Sequence, residues 1–104
     1  MKRRITISRT ARENFNILLA QGVEKFDLDV VDEKRQLVFK TLETDLSENP
    51  HHGLTDRVRG LRHFHVSKTP FLIVYEYDDT DLRVLFIVHA SQDRRHLNPS
   101  TVEW

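Results

Sequence analysis

The stretch "FLIVYEYDDTDLRVLFIVH", residues 71–89, constrains the fold more than any other part of the chain. Two runs rich in β-branched and aromatic residues flank an aspartate-rich break, the pattern of two strands joined by a turn. "FLIVYEY" is apolar almost throughout, as expected of a central strand covered on both faces. "LRVLFIVH" follows as its neighbour. Just upstream, "VRGLRHFHV" puts Val58, Phe64 and Val66 on one face and Arg59, His63 and His65 on the other. Three consecutive strands with short connections predict an antiparallel meander.

The first half of the chain changes period. "RRITISRT" reads as a short first strand, free to join the edge of that meander. Thr10 and Glu13 have the spacing of a capping box, so a helix should start there. Ala11, Phe15, Leu18, Leu19 and Gly22 recur at helical spacing, and Gly22 is the expected stop. A second stripe runs through Val30, Val31, Leu37, Val38, Leu42 and Leu46, with Asp29 or Asp32 as cap and Pro50 as terminator. "NPHHGLTD" is then a loop. Two helices with a short connection form an antiparallel hairpin. The expected class is α+β in the order β-α-α-β-β-β, with the hairpin packed on one face of an antiparallel sheet. Residues 1–104 are read as one domain.

Bulk properties narrow the function classes. With 104 residues the chain builds one core with a modest stability margin. It has no cysteine, hence no disulfides or thiolate chemistry, which suits the cytosol. No apolar run approaches the roughly 20 residues of a membrane span, and no apolar region of signal-peptide kind follows the basic start "MKRRITISRT". A cytoplasmic protein without membrane contact is expected. Formal net charge is zero, but the signs are segregated. Residues 1–12 and 57–68 carry bases without acids, residues 24–56 carry nine acids against four bases, and "EYDDTD" adds four acids. A general nucleic-acid binder is usually basic overall. Here a polyanion must meet a local patch, and a protein partner fits at least as well.

The candidate chemistry lies in histidines and arginines. His63 and His65, two apart on a strand, share a face, yet no cysteine or acid at a matching offset completes a metal site. They can serve in binding or acid–base work, or simply coat a half-exposed strand. With Arg57, Arg59, Arg62 and Lys68 they make a cationic face able to meet phosphates or carboxylates. His89 follows the last strand directly, and Asp93 with Arg94 has the look of a surface ion pair. No phosphate-binding glycine loop, nucleophile elbow or paired-carboxylate motif is present. No metal, cofactor or small-molecule substrate is expected.

The order "ENPHHG", "VRGLRHF", "KTPFLIVYEYDDTDLRVLFIVHASQDRR" resembles the RelE/ParE toxin superfamily of bacterial type II toxin–antitoxin modules. The resemblance spans roughly residues 5 to 96. It rests on Pro50 and Gly53 of a Pro-x-x-Gly loop after a helical hairpin, and on the arginine-bearing strand from Arg57 to Arg62. It rests further on Pro70, Phe71 and Tyr75 of the next strand, and on Val88, His89 and Asp93 at the end of the last. The chain departs at Gln92, where the ParE-like signature usually has arginine, although Arg94 and Arg95 follow.

The resemblance implies one of two activities. ParE-like members inhibit DNA gyrase, and the strand ending favours that branch. Target binding is then expected at His89, Asp93, Arg94, Arg95, His96 and Trp104, since Trp and Arg dominate protein interfaces. RelE-like members cleave mRNA on the ribosome without a metal. In that case His65 or His89 would act as acid or base and Arg62 or Arg83 as the phosphate clamp. An inactive relative that only binds antitoxin and co-represses its operon is the third possibility. The active readings imply a cognate antitoxin whose amphipathic segment is disordered until it binds.

Overall fold

The computed structural model describes residues 2–55, 61–92 and 97–104. The chain begins with β1 (Arg4–Ile7), followed by α1 (Arg9–Lys25) and α2 (Leu28–Thr41). A single π-helical turn, Leu42–Leu46, extends α2, and a 3-10 turn, Pro50–His52, follows. The strands β2 (Leu54–Thr55), β3 (Arg62–His65), β4 (Phe71–Tyr77) and β5 (Asp81–His89) come next, and a 3-10 turn at Pro99–Thr101 closes the chain. They form a five-stranded sheet in the order β1-β5-β4-β3-β2. The expected α+β class, helical hairpin and β3-β4-β5 meander are all present.

The structure corrects several details. The sheet is mixed, because β1 runs parallel to β5, pairing Arg4 with Asp81 and Ile7 with Val84. Strand direction across 77 residues of sequence is not a local property, so no pattern near Ile5 can announce it. A two-residue strand, β2, lies within what reads as a loop. Helix α1 starts one turn-half early: Ser8, fully buried, is its N-cap, its Oγ accepting from Ala11 N at 2.9 Å and donating to the Leu85 carbonyl at 2.8 Å. The same helix continues past Gly22 to Lys25. The N-cap of α2 is Asp27, rather than Asp29 or Asp32, and Val30 of its expected stripe is exposed.

Two apolar layers lie on opposite faces of the sheet. Ala11 and Phe15 of α1, and Val38, Leu42 and Leu46 from α2 and its extension, pack on Phe71, Ile73, Tyr75, Leu82, Val84 and Ile87. Each such side chain contributes about 1.5–3 kcal/mol relative to exposure. Leu72, Val74, Leu85, Phe86 and Val88 form the layer on the other face, where Leu97 and Val102 of the C-terminal segment pack against them. This two-sided burial is why "FLIVY" and "VLFIV" carry no charged residue and only one polar group, the Tyr75 hydroxyl.

A bulge breaks the alternation in β5. Tyr75 pairs with Val84 but Val74 pairs with Phe86, leaving Leu85 unmatched. Leu85 and Phe86 therefore both join the second layer, and every residue beyond them is turned over relative to a regular strand.

Candidate functional site

The loop between the helical hairpin and the sheet is held from below by one tyrosine. Tyr75 is fully buried, with its hydroxyl accepting from Gly53 N at 3.0 Å and donating to the Pro50 carbonyl. Burial pushes its phenol above the ordinary value, against the lowering effect of the Gly53 N–H. Arg62, cross-strand from Tyr75, binds the same loop: its Nη1 donates to the Gly53 carbonyl at 2.9 Å and the His51 carbonyl at 3.3 Å. The Arg62 guanidinium also lies 5.4 Å from the Tyr77 ring centroid, and that of Arg3 lies 5.3 Å from it. The Pro-x-x-Gly motif is thus a fastened turn, with Arg62 on the helix-covered face.

His65 and His89 do not meet. His65 pairs with Leu72 and shares the second layer's face, whereas His89 pairs with Phe71 on the helix face. Without the bulge at Leu85 the two would share a face. His65 Nε2 is 2.6 Å from the Thr69 carbonyl, and His89 Nδ1 accepts from Ser91 N at 3.2 Å. His63, paired with Val74, lies on the same face as His65.

Arg83 is engaged by acids. It stands opposite Glu76 and bonds Glu76 Oε1 and Asp78 Oδ2, both at 3.1 Å. Those carboxylates raise its pKa. Asp78 organises the β4–β5 turn, accepting from the backbone N–H groups of Thr80 and Asp81 at 2.9 and 2.8 Å. These bonds, with Arg83, hold its carboxyl well below the usual carboxylate range.

The C-terminal segment docks rather than trailing into solvent. Thr10 N donates to the Glu103 carbonyl at 3.3 Å, and Glu103 N donates to Thr10 Oγ1 at 2.9 Å. The hydroxyl read from sequence as a helix cap instead ties down the tail, and Trp104 is left 56% exposed beside the start of α1. His89 lies at the other end of that helix, in a cleft shared with Gly22 and Lys25. Thr10 and Gly22 are twelve residues apart, roughly 18 Å along the axis, so His89 and Trp104 do not make one compact patch. Lys68 sits in the β3–β4 turn in the left-handed region (φ 66°), its carbonyl accepting from Lys34 Nζ at 3.0 Å. Arg57, Arg59, Asp93, Arg94, Arg95 and His96 lie outside the described residues.

Sequence reading missed the Tyr75–Pro50–Gly53 lock as a unit, although its three members were each visible. It also missed the acids around Arg83, which "YEYDDTDLR" places near it once the hairpin is closed.

Comparison with known proteins places this geometry. Residues 5–94 match the family described as ParE toxin of type II toxin–antitoxin system, parDE. Among solved structures, a chain of a chromosomal ParDE toxin–antitoxin system from P. aeruginosa superposes with a TM-score of 0.71. The match covers 85% of this chain and 96% of that one at 14% identity, a likeness of fold. Among curated proteins no sequence matches at a significant level. No helix of the described residues is long and apolar enough to cross a membrane. With hairpin, fastened loop and meander in the family's order and the family match running through more than four-fifths of its length, the chain belongs to the ParE toxin family of type II toxin–antitoxin systems.

Proposed function

We propose that this chain is a cytoplasmic toxin that binds and inhibits DNA gyrase and is neutralised by a cognate antitoxin. Family membership supports the toxin role. The observation that carries binding over catalysis is the scattering of the candidate nuclease groups. His65 and His89 project from opposite faces of the sheet, and Arg83 is already paired with Glu76 and Asp78. Metal-free RNA cleavage needs a base, a phosphate cation and an acid around one phosphodiester, and histidines on opposite faces with an arginine already held by two carboxylates speak against that arrangement. Inhibition through binding needs only a surface, and the exposed Trp104 offers an interface residue of the type that dominates binding energy.

Cleavage of ribosome-bound mRNA is the second reading, and Arg62 favours it. Its guanidinium has carbonyl and ring partners but no carboxylate among the described residues.

The test is to express the chain and follow DNA and protein synthesis separately, with a supercoiling assay on purified gyrase alongside. The expected result is lost supercoiling and DNA breakage with intact mRNA, retained in His65→Ala and Arg83→Gln. Early loss of translation with trimmed mRNA, abolished by those substitutions, overturns the proposal. Normal growth with no inhibition would leave an antitoxin-binding co-repressor.

A further inference from the structure

Glycine inside a helix is disfavoured, yet α1 carries Gly22 in its last turn before Lys25. A Cβ on Gly22 would stand 3.3 Å from Val31 Cγ2, so the missing side chain lets α1 and α2 approach closely here. Beside that approach a cleft of about 330 Å³ opens between the two helices and the end of the β4–β5 pair. Its floor is apolar, formed by Leu18, Leu19, Val31 and Phe71. The volume falls at the small end of the roughly 300–1,000 Å³ typical of ligand clefts, room for one compact molecule.

The cleft's charged and ring-nitrogen groups are donors. Lys25 and Lys34 line it, and neither forms an ion pair among the described residues. Lys34 Nζ donates to the Lys68 carbonyl at 3.0 Å, which leaves its other N–H groups unspent. His89 lines the same cleft, and its Nδ1 accepts from Ser91 N at 3.2 Å. A backbone N–H only donates, so in the neutral ring the hydrogen sits on Nε2. Gln21 is the one other polar side chain of the lining, which holds no carboxylate.

Two ammonium groups and an imidazole N–H over an apolar floor suit an anionic head on an apolar body. The surroundings limit how long that body is. Beyond Phe26 the adjoining hollow is lined by Glu24 and Asp27, so an acidic occupant running on past the cleft would meet like charge. A molecule confined to the cleft meets neither acid. We propose that this cleft binds a compact amphipathic carboxylate, its head held by Lys25, Lys34 and the His89 Nε2–H and its body against Leu18, Leu19, Val31 and Phe71. The site stands apart from the gyrase reading, since it needs only the helical hairpin and the end of β5.

The test titrates the full, isotope-labelled chain with hexanoate, hexanol and hexylammonium, which share a chain and differ in head charge. Hexanoate shifts the backbone amides of Gly22, Lys25 and Phe71 and binds about tenfold more tightly than hexanol. Hexylammonium does not bind, and acetate, the head without the body, does not compete. Added salt weakens hexanoate and leaves hexanol unchanged. Lys25→Gln with Lys34→Gln brings hexanoate down to the level of hexanol. His89→Phe, which keeps the bulk of a ring, lowers hexanoate affinity about threefold. Circular dichroism checks that each variant is folded. Equal binding of hexanoate and hexanol, or hexanoate affinity unchanged in the double lysine variant, overturns the proposal. So do displacement by acetate at equal concentration, amide shifts confined to residues away from the cleft, and no shift at all up to about 10 mM ligand.

Discussion

The backbone N–H of Gly53 donates to the Tyr75 hydroxyl at 3.0 Å, and a Cβ built on Gly53 would stand 2.1 Å from that oxygen. Gly53 has an ordinary extended backbone, φ −72°, so the need for glycine here is one of close approach and not of dihedral freedom. The buried ring of Tyr75 cannot retreat, since a Cβ would also meet its Cζ at 2.8 Å.

Gly53→Ala should therefore cost about 1–3 kcal/mol through overpacking. Tyr75→Phe should cost a similar amount, about 1–3 kcal/mol, by leaving the Gly53 N–H and Pro50 carbonyl without their partner. Urea unfolding checks both: the midpoint falls while the slope stays the same. A Gly53→Ala variant as stable as the parent would show that the loop can move away from Tyr75.

The start of α1 is set by Ser8. Ser8→Ala removes the cap of Ala11 N and a donor to the Leu85 carbonyl, and should lower stability by about 1–2 kcal/mol. For a domain of this size that is a fall in Tm of roughly 4–8 °C per kcal/mol. Thr10→Ala, which loses only an exposed bond to Glu103 N, should cost less. The reverse order would restore Thr10 as the cap.

Acid stability should depend on the β4–β5 turn. The folded carboxyl of Asp78 is depressed, first by the Thr80 N–H, then by the Asp81 N–H and Arg83. A depressed carboxyl stabilises fully above the unfolded value, about 4, and that stabilisation is lost as pH falls through the folded value. Asp81, lowered first by its bond to Arg4, acts in the same direction. Thermal melts from about pH 5 downward should show a shallower decline for Asp78→Asn than for the parent. Identical slopes would rule the turn out as a source of acid sensitivity.

Much of the fold is legible locally. An apolar run such as "FLIVY" is readable because burial on both faces excludes charged residues at every position, and β4 and β5 fall where those runs are. The stripe of Ala11, Phe15, Leu18 and Leu19 is readable because the helical period is a property of neighbouring residues. The cap is harder. Ser8 and Thr10 are chemically equivalent candidates, and the choice between them depends on the Leu85 carbonyl and the Glu103 backbone, which lie 77 and 93 residues away. The site was least legible. Each histidine and arginine was visible, but whether they converge depends on faces and registers that no spacing within one strand encodes.

By itself the sequence determined the class of structure. Its periods of 3.6 and 2 specify which segments are helix and strand and which residues are core, because those patterns arise from backbone geometry within a few residues. Its motif order, Pro50 to Gly53, Tyr75, then His89, was enough to point to the family. Only the tertiary structure decided the parallel seat of β1, the engagement of Arg83 by Glu76 and Asp78, and the separation of His65 from His89. The last turns on one unmatched residue. Leu85 adds a position to β5 with no partner on β4, and so rotates His89 to the helix face while His65 stays on the other. A bulge of that kind is a balance between two strands and two cores, and it is settled by packing on both faces at once rather than by any residue's own preference.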